Sequence, residues 1–309
     1  MNIKIVTLVA TLLCCFKVFA EPIKIPRLDE RSMERLVKFH SFTGRDIKGF
    51  IATKPELQEV AKVFYPFGGA DIIYPLTIFP KAMEITLAGL EDIGPKPTNL
   101  ELEAESITLG DDVASLLKRS FFVTRDMGQN FASKHVGTMR RILEQLSSLG
   151  VSEADLEVFD RSNQKLVITF TYNNIKRRVS YFKKNFLDQE KTAAFLNDLK
   201  EKDMVQGTLL KATSYTLHRP EFVHIKDFIV RSTSLIVEDD SGVPLRDLKD
   251  FEVQKFGQYT KPYGVEFSCY TQKDLAQKPA IDDQKLGFCF GYGCGRQPSS
   301  LIIAKRKVE

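Results

Sequence analysis

The 309-residue sequence has no tryptophan, four histidines and five cysteines. Each scarcity narrows what the protein can be. Cys14 and Cys15 lie in an N-terminal apolar run. Cys269, Cys289 and Cys294 are scattered and form no CxxC pair, and no histidine lies near them. That pattern argues against a structural zinc site. His40, His135 and His224 are isolated from one another in sequence, as ordinary half-buried helix side chains are. The chain also lacks a charge excess: 44 basic residues face 40 acidic ones. A near-neutral balance gives no electrostatic reason to expect nucleic acid as a partner. Beyond the first twenty residues, no apolar run is long enough for a membrane-spanning helix. The aromatic content is instead carried by 23 phenylalanines. They are spread through predicted helices and strands alike, as a large core requires and a localised binding stripe does not.

What the chain does have begins at its N-terminus, "MNIKIVTLVATLLCCFKVFAEP". One early charge, Lys4, precedes the apolar run from Ile5 to Phe16, and Val18 and Ala20 are small residues where a signal peptidase inspects. The run is too short to span a bilayer comfortably. A lipoprotein requires a small residue directly before the cysteine, whereas Leu13 precedes Cys14. These features predict a cleaved signal over residues 1–20 and a periplasmic or secreted protein. Cleavage after Ala20 would leave 289 residues with 42 basic and 40 acidic side chains. In an oxidising compartment, Cys289 and Cys294 could bridge across a tight hairpin, or either could pair with Cys269. All three could equally remain reduced inside the core.

Hydrophobic spacing predicts a helix over 27–40, where Met33, Leu36, Val37 and His40 share a face. A second helix is predicted in "KPELQEVAKVF". There follow a strand ending near Phe67, a glycine turn, a helix from about Asp71, and the strand "EITLAGL". Two more helices are predicted in "LGDDVASLLKRSFFVTRD" and "KHVGTMRRILEQLSSLG", the second ending at the helix stop Gly150. "KLVITFTYNNIKRRVSYF" alternates around Asn173-Asn174 as a β-hairpin does. Helix "EKTAAFLNDLKEKD", strand "GTLLKATSYTL", helix "PEFVHIKDFIVRST" and strand "SLIVEDD" follow, and two antiparallel strands close the chain. Helices alternating with strands predict an α/β fold: a Rossmann-like, mostly parallel sheet, helices on both faces and a C-terminal antiparallel hairpin. The expected organisation is a signal at 1–20, a helical extension at 21–54 and one α/β domain at 55–309.

The stretch "FYPFGGADIIYPLTIFP" carries the first candidate site. A strand feeding a glycine turn lets backbone pass close to a ligand, and an acidic residue closing the next strand can accept hydrogen bonds from hydroxyls. Gly68 and Gly69 form the turn, Asp71 stands where it could cap the helix, and Glu91 follows the next strand. These four are the candidate ligand-binding residues. "LLKATSYTLHRP" adds Lys211, Ser214 and His218, a nucleophile-and-base grouping that equally suits ordinary loop hydrogen bonding. "EDDSG" adds Glu238, Asp239, Asp240 and Ser241 at a strand end, where a turn or a hard-cation site is possible. Lys211, His218 and Asp240 are the candidate proton-transfer residues. No metal ligand set is expected.

The order of elements and the closing antiparallel strands resemble class I S-adenosylmethionine-dependent methyltransferases. Those enzymes carry a G-x-G-x-G run, whereas this chain has "PFGGAD" and a proline, Pro75, early in the following helix. The blocks "YPFGGADIIYPLTIFP", "LLKATSYTLH", "LIVEDDSGVP", "KFGQYTKP" and "LGFCFGYGCG" also resemble a family of exported bacterial proteins with no assigned activity. That resemblance implies export and a shared fold. The expectation is a non-catalytic binding or structural protein without a cofactor. The alternative is an enzyme, methyltransferase-like or hydrolytic, with its site at the carboxyl ends of the strands. Only a methyltransferase-like enzyme would imply S-adenosylmethionine.

Overall fold

The computed structural model describes residues 21–25, 27, 47–68, 70–96, 137–211, 217, 220–239, 242–257, 286 and 301–308. Ten strands form among them. The first five are β1 (Glu21–Lys24), β2 (Lys62–Pro66), β3 (Glu84–Gly89), β4 (Glu153–Asp160) and β5 (Lys165–Tyr172). The others are β6 (Ile175–Lys183), β7 (Gly207–Leu210), β8 (Leu235–Glu238), β9 (Phe251–Phe256) and β10 (Leu301–Arg306). The bounded α-helices are α1 (Pro55–Gln58), α2 (Ile73–Ile78), α3 (Thr138–Ser148), α4 (Gln189–Glu201) and α5 (Val223–Ser232). Residues 47–52 form a further short helix; apart from Arg27, the helix expected over 27–40 falls outside the described residues, as does the one expected in "LGDDVASLLKRSFFVTRD".

All ten strands belong to one sheet, in the order β1-β4-β5-β6-β3-β2-β7-β8-β10-β9. Of its nine pairings, five are antiparallel and four are parallel. This corrects the expected Rossmann-like, mostly parallel sheet with helices on both faces. The protein is a strand-rich mixed sheet with few helices, several of them a turn or two long. The physical reason lies in pairing, which local periodicity does not encode. β1 and β4 were not expected as strands, and they extend the β5–β6 hairpin into an antiparallel meander. β6 then joins β3 in parallel register, Ile85 opposite Val179 and Leu87 opposite Tyr181. A second misreading is local. "KPELQEVAKVF" is helical only over Pro55–Gln58, and its aromatic and β-branched end becomes strand β2.

The five strands β6, β3, β2, β7 and β8 run parallel at the centre. Strands buried on both faces read as nearly continuous apolar runs. Accordingly "LIVE" of β8 and "GTLL" of β7 are buried throughout. Alternate side chains feed two cores. Val63, Tyr65, Ile85 and Leu87 join α2 and α3 residues, including Ile142, Leu143 and Leu146, on one side. Phe64, Ala88, Leu210 and Ile236 join Phe195, Leu199, Ile225 and Ile229 of α4 and α5 on the other. The chain order reverses at β2, which has β3 on one flank and β7 on the other. In open α/β sheets, a crevice for ligands forms outside the carboxyl ends of strands at such a reversal.

Candidate functional site

The carboxyl ends of β2, β3, β7 and β8 lie along one edge because these strands are parallel. The segments leaving them carry Asp71, Glu91, Lys211 and Asp239, each one to five residues beyond its strand. Helix α3 contributes Arg141. These groups form one electrostatic neighbourhood. Burial raises the Asp71 carboxyl above the usual aspartate range, against the pull of the Lys211 and Arg141 cations, and Glu91 adds to the rise. Burial lowers the Arg141 guanidinium, opposed by the nearby carboxylates Glu91, Glu144 and Asp71. The Tyr65 phenol is pushed well up by burial and then by the Asp71 charge; Lys211 draws it the other way. Glu91 and Lys211 are each 9% exposed and Asp239 is fully buried, so these charges act in a low-dielectric edge.

Glu91, Lys211 and Asp239 are placed by backbone or aromatic contacts. The Tyr181 hydroxyl donates to the Glu91 carbonyl oxygen at 2.6 Å and lies 3.3 Å from its carboxylate. Lys211 sets its Nζ over the Tyr74 ring, 3.9 Å from the centroid. The Asp239 amide donates to the Leu210 carbonyl oxygen at 3.0 Å, which locks the β7 and β8 exits together. Glu238 serves a different purpose. It accepts from the Val243 amide at 2.7 Å, and a Cβ on Gly242 would collide with its carboxylate. Glu238 therefore helps fold the turn after β8.

The glycine turn departs from its expected role. A Cβ built on Gly68 would lie 2.5 Å from the Tyr65 ring. The small residue is needed for that ring, so the space a cofactor would use is filled by tyrosine. Phe67 takes φ +64°, a left-handed conformation costly for a bulky residue. The twist sends it to the opposite core, where its ring centroid is 4.7 Å from that of Phe186 and 5.9 Å from that of Phe222. Nor does Asp71 cap the following helix: the cap residue is Ile72, with no side-chain hydrogen bond. Gln145 of α3 holds this turn instead, as its hydrogen bonds to Ala70 and Ile73 show.

Of the residues expected from sequence, Asp71, Glu91 and Lys211 come together, and Gly68 adjoins them through Tyr65. Gly69, Ser214, His218, Asp240 and Ser241 lie outside the described residues, as do Cys269, Cys289 and Cys294. Asp239, singled out at the "EDDSG" strand end, also belongs to the cluster, and Tyr65, Arg141 and Gln145 complete it. Arg141 and Gln145 share a face of α3 at i, i+4 spacing, the one sequence signal that pairs them. Among the described residues, no group of three His, Cys, Asp or Glu side chains is arranged to hold a metal ion. No helix of the described residues is long and apolar enough to cross a membrane. Compared with known proteins, the sequence matches no family model and no curated protein.

Proposed function

We propose that this chain is an exported protein that binds a small polar molecule at the carboxyl ends of β2, β3 and β7 without transforming it. The convergence of Asp71, Glu91 and Lys211 with Arg141 carries the reading. Buried ionisable groups of both signs at a chain reversal are costly to assemble, and functional sites are where such clusters concentrate. Lys211 favours binding over proton transfer. A tyrosine face stabilises its ammonium form, whereas a general base must give up that charge. With Tyr65 filling the space at Gly68, a nucleotide phosphate is a poorer fit than a compact ligand bearing hydroxyl, amine or carboxylate groups. The N-terminal segment and the blocks resembling an exported bacterial family support export.

A thermal-shift screen on residues 21–309 tests this, using sugars, amino acids, polyamines, nucleosides and divalent cations at millimolar concentration. A ligand at a hundred times its Kd stabilises by about 2.7 kcal/mol, a shift of several degrees. The expected result is a shift from at least one compact polar compound, abolished by Asp71→Asn and by Lys211→Met. No shift from any class would retire the binding reading. One observation favours an enzyme as the second reading: burial raises the Asp71 carboxyl and so favours the protonated form that a general acid needs. Consumption of a compound that shifts the melting temperature would decide for that alternative.

A further inference from the structure

Asp71 projects from a short turn, and the backbone on both sides of it is held by one side chain. Gln145 Nε2 donates to the Ala70 carbonyl oxygen at 2.8 Å, and the Ile73 amide donates to Gln145 Oε1 at 3.2 Å. Gln145 is 8% exposed, so water offers little competition for either bond. One turn earlier on α3 stands Arg141, whose charge neighbours include Asp71 and Glu91. The start of α3 is tied to the other strand exit. The Thr138 amide and hydroxyl both donate to the Asp92 carbonyl oxygen, at 2.9 and 3.1 Å, and the Met139 amide donates to that of Ile93 at 3.1 Å. A glycine-on-glycine approach allows this docking: a Cβ on Gly137 or Gly94 would strike the other's backbone, and Gly94 takes φ +77°. The helix is thus pinned beside Glu91 at its first turn and around Asp71 at its last.

We propose that Gln145 is a positioning residue of this site: by holding Ala70 and Ile73 it fixes where the Asp71 carboxyl stands relative to Arg141, Glu91 and Lys211. The inference rests on reading that cluster as a ligand site. The residue type follows from the task. A primary amide supplies one donor and one acceptor on the same stem, glutamate supplies acceptors only, and methionine supplies neither. Gln145 touches no ligand in this scheme. It acts through the backbone that carries Asp71.

The test is the titration of Asp71, followed by carboxyl carbon NMR on residues 21–309, with no ligand added. Asp71 faces Lys211, Arg141, Glu91 and the Tyr65 phenol. Gln145→Met keeps length and bulk but removes both hydrogen bonds. It is expected to move the Asp71 midpoint down toward the ordinary aspartate value as the turn loosens, while the surface carboxylate Asp160 titrates as before. Leu143→Ala, a packing loss on the same helix, should lower the melting temperature without that shift. Gln145→Asn, one methylene shorter, replaces the methionine variant if that chain fails to fold, and the same downward movement is expected. An unchanged Asp71 midpoint in the Gln145 variant, or an equal shift in Leu143→Ala, would overturn the proposal. Because the readout needs no ligand, a failed ligand screen leaves this result standing.

Discussion

Among the described residues, Arg177 is the largest side chain buried almost completely, at 1% exposure. Its guanidinium donates to the carbonyl oxygens of Ala82 and Pro80, with a longer bond to that of Tyr172. Burial lowers its affinity for a proton, yet the carbonyls of the β3 approach supply the acceptors it needs. Arg177→Met would strand those carbonyls and is expected to destabilise by about 2–4 kcal/mol in urea unfolding. The Tyr65–Gly68 contact makes a second residue-level case. Gly68→Ala alone should cost about 1–3 kcal/mol through overpacking. In a Tyr65→Val background it should cost much less, and a double-mutant cycle measures the coupling. Additive effects would mean that the tyrosine does not dictate the glycine. Asp71 and Glu91 were legible in the sequence because turn and strand end carry local signals. Tyr65, Arg141 and Gln145 were not, since Gln145 meets its partners across 72 and 75 residues.

At the scale of elements, the β5–β6 hairpin is where sequence and structure agree best. Asn173 and Asn174 take φ +51° and +60°, the two left-handed positions of a type I′ turn. Asn174→Gly is expected to raise the melting temperature slightly, and Asn174→Val to lower it by roughly 1–2 kcal/mol equivalent. Equal melting temperatures would mean that the turn relaxes. The neighbouring β4 was missed because its pattern is interrupted. The register shifts between Leu156 and Val158, a bulge that frees Glu157 to accept from Thr169 Oγ1 and, at 2.8 Å, from Arg178 Nε. A bulge breaks the period-two signal by which strands are recognised.

For the whole molecule, alternation of helices and strands pointed to a mostly parallel sheet, whereas five of the nine pairings are antiparallel. Pairing partners are set by burial across the sheet, and no local window contains both strands. The buried charge cluster has a global consequence as well. A carboxyl whose folded-state pKa is raised favours the folded state at low pH. That contribution is present in full below the unfolded value and is lost as pH rises through the folded one. The melting temperature of the wild type relative to Asp71→Asn should therefore fall as pH increases from about 4 and level off once Asp71 is ionised. A flat difference from about pH 4 to 8 would show that Asp71 titrates normally.

The placement of β10 also sets an order of events during biogenesis. β10 sits between β8 and β9, pairing Ile303 with Val237 on one side and with Gln254 on the other. Among the described residues β9 pairs with β10 alone, so it is made well before that partner, and β8 waits with one edge bare. Synthesis that stalls before residue 301 leaves an apolar strand edge open to other chains, a known route to aggregation. This end of the sheet cannot close until residues 301–306 have been made, so its last pairings form only as synthesis finishes.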